Sequence, residues 1–398
     1  MIRMLLAGLL LIASGQSWAV DVANLTPVER LTVNYTEFSE PMSFNITLPA
    51  SYATELDKRY LVLFDPHPRS QPHLSGMQDW LSHNGEWPWL ETLVVTPANY
   101  HKEYADLFKE TADNPSDPEL LSFLETHVLT KIDDTYRTHN FRIFSGFMGN
   151  GAFGLYALLN KPHLFDAYII ASPSLADDFL AVTSSAKSKL PKLTDKMRFV
   201  YLTMGGHRYE QGNRKATEAF AEALESYAPG QLEWHAKLDD KRHYMSRPIL
   251  AVVEAIELLF ADYHSPLAPD SAIAKKGVDA IVAHYQTLSK SKYGFEVSAQ
   301  SSLTALAKAT LESDSDEALA IYKRAIAMYP DSAYAYANLG SAYKELGQLA
   351  KAVEVQKTAV DKSKDMIPWH QNNLKKQLDE YQAALAAAPA AARSDETQ

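Results

Sequence analysis

Apolar and polar positions alternate from Leu31 to Tyr35 and again from Met42 to Ile46, the period of a strand with one wet face. The two stretches predict an antiparallel pair. Solid apolar runs follow at Tyr60–Phe64 and Leu90–Thr96, as expected of strands covered on both faces. Further strands are predicted at Phe141–Phe144, Tyr168–Ala171, Phe199–Thr203 and Leu232–Lys237. Helical spacing occupies Pro118–Tyr136, Ala152–Leu159, Thr217–Tyr227 and Ile249–Tyr263. Strands alternating with helices predict an α/β fold with a mostly parallel sheet and helices on both faces.

After Tyr263 the pattern changes. A linker, His264 to Asp270, carries two prolines, and beyond it the spacing is helical to about residue 385 with no strand signal. One repeat is recognisable there. Ala335, Leu339, Gly340 and Tyr343, then Gly347, Ala352 and Ala359, have the small-and-large spacing of a tetratricopeptide (TPR) unit. Ala318–Pro330 reads as the second helix of a preceding unit whose first helix is Leu303–Leu311. Two units are fewer than the roughly three an isolated solenoid needs, so the tail is expected to pack on the α/β part or on another chain. It serves either as a stabilising appendage, the slightly favoured reading, or as a groove for a protein partner. Residues 386–398, rich in Ala and then polar, are expected to be disordered.

The first residues are not part of this pattern. Arg3, an apolar run from Met4 to Ala13, and Ser17-Trp18-Ala19 read as a secretory signal peptide over residues 1–19, which implies export and a periplasmic location. No later segment is long and apolar enough to span a bilayer. The chain has no cysteine, so disulfides are excluded and a large core must replace them. A formal net charge of −11 argues against nucleic acid as a partner. The 13 histidines show no metal-ligand spacing on a helix and no glycine loop cradles phosphate, so neither a metal nor a cofactor is expected.

The candidate chemistry lies at one strand–turn–helix. Gly146, Gly149 and Gly151 follow the strand that ends near Phe144, with the close glycine spacing a tight elbow requires. In such elbows a serine hydroxyl stands clear of the sheet; here the apex position holds Met148. The stretch from Arg142 to Leu159 resembles the esterase family that includes esterase D and the enterochelin esterases, with Gly146 on the first glycine and Met148 on the serine in a frame without gaps. Pro162–Ser174 is similar to that family's segment after the elbow helix, and His73–Gly85 resembles its early helix. Tyr293–Glu296 and the repeats resemble a subgroup with tetratricopeptide units. The likeness runs from about residue 24 to 385. It implies an α/β-hydrolase fold over residues 20–265, a linker helix region over 266–296, and TPR-like helices over 297–385.

The resemblance also assigns roles. His243 matches the family's general base, and Glu210 is the candidate acid for orienting it, with Asp239 and Asp240 as rivals. The oxyanion hole would use the Gly149 N–H and, because Pro66 has no N–H, that of His67. A thioether has no ionisable proton and forms no hydrolysable acyl-enzyme. Loss of a serine nucleophile costs on the order of a million-fold in turnover. Two readings follow: an impaired hydrolase homologue that binds an ester-like ligand or a partner, or a working carboxylic-ester hydrolase, siderophore-related by analogy, with its nucleophile relocated to Ser145, Ser172 or Ser174.

Overall fold

A computed structural model describes residues 27–82 and 89–388. The leader expected at residues 1–19 and most of the tail expected at 386–398 lie outside the described residues.

The strands are β1 (Val28–Val33), β2 (Met42–Thr47), β3 (Tyr60–Phe64), β4 (Thr92–Pro97), β5 (Thr138–Phe147), β6 (Ala167–Ala171), β7 (Arg198–Gly205) and β8 (Leu232–Asp240). They form one eight-stranded sheet in the order β1-β2-β4-β3-β5-β6-β7-β8. β1 and β2 pair antiparallel, β2 joins β4 antiparallel, and every pairing from β4 to β8 is parallel. The antiparallel start is the pair that the alternation predicts, and the order of β3 and β4 is what the hydropathy pattern leaves open, because buried strands carry little register information.

The helices between the strands are α1 (Gln71–Ser82), α2 (Lys102–Asp113), α3 (Glu119–Phe123), α4 (Thr130–Thr135), α5 (Gly149–Asn160), α6 (Val182–Lys189), α7 (Gln211–Tyr227) and α8 (Arg247–Leu259). The helical stretch expected at Pro118–Tyr136 is α3 and α4 joined by a π-helical segment, Leu124–Leu129. The long helix expected at Ile249–Tyr263 ends at Leu259, and Ala261–His264 forms the short α9. Helices α2 and α6 have no counterpart in the sequence reading. Their apolar positions are sparse, and burial on one face alone holds them.

Side-chain alternation divides the core. Tyr60, Val62 and Phe64 of β3 point to one layer with Phe144, Phe153, Leu158 and Phe220, while Leu61 and Leu63 point to the other with Val252 and Ile256 of α8. The second layer does not stop at α8. It continues without a break into α10 (Val278–Thr287), α11 (Gln300–Thr310), α12 (Ser315–Met328), α13 (Ala333–Glu345), α14 (Leu349–Lys362) and α15 (Pro368–Ala387). Between α10 and α11, Tyr293 stacks on Phe260 at 5.9 Å and donates to the Leu259 carbonyl at 2.8 Å. The region around Tyr293, read from sequence as a linker helix region, is therefore part of the core, and the repeat helices join the sheet domain through it, with Ser302 of α11 bonded to Leu267 N–H and Tyr285 Oη. Gly340 sits where α13 meets its neighbours: a Cβ there would lie 3.2 Å from Gln356 Oε1.

Candidate functional site

The elbow is present in the backbone. β5 runs to Phe147, α5 begins at Gly149, and Met148 between them has φ 54° and ψ −121°. A side chain pays strain for that conformation, of order 1–3 kcal/mol. The turn is held from both sides: Met148 N–H donates to the Ala171 carbonyl at 3.1 Å, and Met148 carbonyl accepts from Ala152 at 3.0 Å and Ser174 at 3.1 Å. The tight approach explains two of the three glycines. A Cβ on Gly146 would fall 2.5 Å from the Asn150 carbonyl oxygen, and one on Gly151 3.1 Å from that of Gly146. The motif's geometry is kept with a thioether at its apex.

The other expected members make bonds of their own. Glu210 is fully buried and engaged by other groups. It receives Arg247 Nε at 2.8 Å and Nη2 at 3.0 Å, Ser172 Oγ at 2.5 Å, and the backbone N–H groups of Gly205 at 3.3 Å and His207 at 3.1 Å. Burial pushes the Glu210 carboxyl up, but the hydrogen bonds from Ser172 and Arg247, with the Arg247 charge, hold it below the usual carboxylate range. Its ion-pair partner is Arg247. That arginine, also fully buried, reaches Asp240 Oδ2 at 3.0 Å as well. Burial likewise opposes ionisation of Asp240, yet its bonds to Arg242 and the nearby Arg247 charge bring it down to about 2. Asp240 is thus also committed, and the remaining rival, Asp239, is exposed and paired with Arg214 at 2.7 Å.

His243 is exposed, at the end of the loop before α8. Its Nδ1 accepts the Met245 N–H at 3.2 Å. A triad base donates its Nδ1–H to the acid and keeps the Nε2 lone pair for the nucleophile's proton. Accepting at Nδ1 selects the opposite tautomer, with hydrogen on Nε2. The ring packs against His207 at 4.9 Å and Tyr244 at 5.1 Å, and it lines a cleft of about 760 Å³ with Arg214, Asp239 and Arg242. Met148 lines a different cleft, of about 560 Å³.

The oxyanion expectation divides. Gly149 opens α5, so its N–H has no intrahelical acceptor, and the residue lines the Met148 cleft. The His67 N–H instead donates to Asp65 Oδ1 at 2.9 Å, so the expected second donor is spent on a buried carboxylate. Asp65 also accepts from Ser145 Oγ at 2.8 Å, and burial pushes its carboxyl up to about 6. The candidate relocated nucleophiles fare no better. Ser145 is buried in β5 on Asp65, and Ser172 is fully buried on Glu210. Ser174 is half-buried, its N–H on the Met148 carbonyl.

Arg247 is the residue that sequence reasoning missed. An arginine opening an amphipathic helix looks solvated. The signal that could have found it is Gly205: a Cβ there would lie 2.2 Å from Arg247 Nη2 and 2.3 Å from the Asp240 carbonyl oxygen. Among the described residues no group of three or more His, Asp or Glu is gathered to hold a metal, and no helix is long and apolar enough to cross a membrane.

Comparison with known proteins agrees with this architecture. The tetratricopeptide repeat family matches residues 321–354, from within α12 to within α14. No curated protein matches the chain. Among solved structures, an IroE-like serine hydrolase from Shewanella oneidensis is 19% identical, with 72% of this chain and 95% of that one aligned at a TM-score of 0.55. An uncharacterised protein from Capnocytophaga ochracea is 15% identical over 90% of this chain and 100% of that one, at a TM-score of 0.60. The 90% share can be reached only if the helical tail is aligned along with the sheet domain. The chain thus has the α/β fold of these structures, followed by a helical region that carries a tetratricopeptide-repeat match.

Proposed function

We propose that this protein is a non-hydrolytic binding protein on an esterase scaffold, with the cleft over Met148 as its ligand site. The observation that carries the reading is the strained elbow that presents a thioether where the fold presents a hydroxyl. The partners of the missing chemistry support it. Glu210 is ion-paired with Arg247, His243 accepts at Nδ1, and the His67 N–H is bonded to Asp65. Each of these contacts engages a group that the family resemblance assigns to acyl transfer. What persists is a preformed cleft of a size that suits a small molecule.

The amino-terminal sequence supports export to the periplasm. Cell fractionation with residues 1–19 present and deleted tests that part. The repeat region is of a kind that suggests protein interaction; its helices pack on one another and join the sheet domain through the α10 segment. The functional test is hydrolysis of short p-nitrophenyl esters. The unaltered protein is expected to show no turnover above buffer; robust turnover abolished by His243→Ala would overturn the proposal.

A further inference from the structure

The walls of the Met148 cleft specify more than its existence. No Lys, Arg, Asp or Glu lines it. Tyr100, Tyr104, Phe108 and Phe147 supply aromatic surface, with Met42 and Met148 as adaptable apolar contacts. Tyr100 is 74% exposed, a large ring left in water on the rim of a concavity.

The polar groups facing the cleft are neutral donors or amides. Gly149 offers its N–H from the first turn of α5, and Asn150 follows it. His67 accepts the Arg69 N–H at Nδ1 at 3.1 Å, which leaves hydrogen on Nε2. Burial and the Arg69 charge lower the His67 pKa, so the ring stays uncharged. His101 is already saturated: Nδ1 accepts from Tyr104 at 3.3 Å and Nε2 donates to the Glu40 carbonyl at 3.1 Å. Both its ring nitrogens are thus engaged by the chain itself. The buried carboxyl of Asp65 is one residue from Pro66 of the lining and is bonded to the His67 N–H and Ser145 Oγ.

We infer that the cleft takes an uncharged aromatic carbonyl compound and discriminates against the carboxylate of the same shape. The ring packs on the aromatic and thioether surface, and the carbonyl accepts from the Gly149 N–H and His67 Nε2–H. A carboxylate would be desolvated without a cation to pair it. This inference rests on the binding reading above, and names its ligand class.

The test uses the full chain labelled with ¹³C at the methionine methyls; there are ten methionines, and Met148→Leu assigns the one at the elbow. Two probes matched in shape are titrated, 2-naphthamide and 2-naphthoate. The amide is expected to shift the Met148 methyl saturably, the carboxylate to require at least about tenfold more. Tyr100→Ala, at an exposed rim position, should weaken the amide severalfold. Equal or tighter binding of the naphthoate would overturn the inference, as would a Met148 methyl unmoved by the amide up to its solubility limit. Turnover of 2-naphthyl acetate is measured beside these. Hydrolysis would sink the non-hydrolytic reading even where the amide preference holds, so the two failures are distinct.

Discussion

Replacing Arg247 by Met tests the claim that Glu210 belongs to an ion pair and not to a catalytic relay. The arginine is fully buried and gives Glu210 two bonds, at 2.8 and 3.0 Å, with a third contact to Asp240 at 3.0 Å. Breaking a buried pair from one side costs about 3–5 kcal/mol, because the remaining charge is left uncompensated. Glu210 keeps Ser172 Oγ and two backbone donors, and Asp240 keeps Arg242, which places the expected loss near the lower end, about 3 kcal/mol. The loss should also depend on pH. In the parent, Glu210 titrates below its unfolded value, so its contribution is constant above about pH 5 and falls away only in more acid solution. In the variant, burial dominates and raises the folded pKa above the unfolded one. Stability then declines as pH rises through that interval. Urea unfolding of both proteins at pH 5 and pH 8 should therefore show a larger difference at pH 8. A difference under about 1 kcal/mol, or one equal at the two pH values, would refute the reasoning.

Other expectations follow from single contacts. Gly205→Ala places a methyl 2.2 Å from the Arg247 guanidinium, so chemical denaturation should show a loss of about 1–3 kcal/mol, reduced when Arg247→Met is added. Met148→Gly should be more stable than Met148→Ala by about 1 kcal/mol, since only glycine adopts φ 54° without strain; equal melting curves would contradict a strained apex. Asp65, whose folded pKa is raised from 3.8 to about 6, binds its proton more tightly in the folded state. Its contribution is full below pH 4 and is lost as pH rises to about 6; Asp65→Asn should flatten that part of the stability profile. Truncation after residue 265 uncovers the face of α8 and Phe260 that carry Tyr293, and should yield aggregated protein that binds a hydrophobic dye.

The sheet was legible because its strands are continuous apolar runs: Tyr60–Phe64 has the same bounds in sequence and structure. Edges and extensions were not. β5 begins three residues before Phe141, where Thr138 bonds to Asp133 and the apolar signal is absent. The elbow was readable from its glycines, and Met148 stands at the apex that the spacing assigned. The acid was not readable in the same way. Chain order places Glu210 after β7, in the region where an orienting carboxylate belongs, but which cation it meets depends on α8 folding back over the strand ends. The His67 donor failed for a local reason: an aspartate two residues earlier captures the amide within the same turn. Tautomers lie further out of reach still, since the Met245 N–H that fixes His243 belongs to a short helical turn that forms only with the loop.

The most direct measurement is ester turnover by the unaltered chain beside Met148→Ser. Restoring the hydroxyl restores neither the acid, held by Arg247, nor a base with a free Nε2 lone pair. The expected result is no turnover above buffer from the unaltered protein and no efficient turnover from the Met148→Ser protein, with fluorophosphonate labelling of the new serine correspondingly slow. Efficient hydrolysis by Met148→Ser, lost again with His243→Ala, would show that the base and its orienting acid are assembled in solution and would contradict the account.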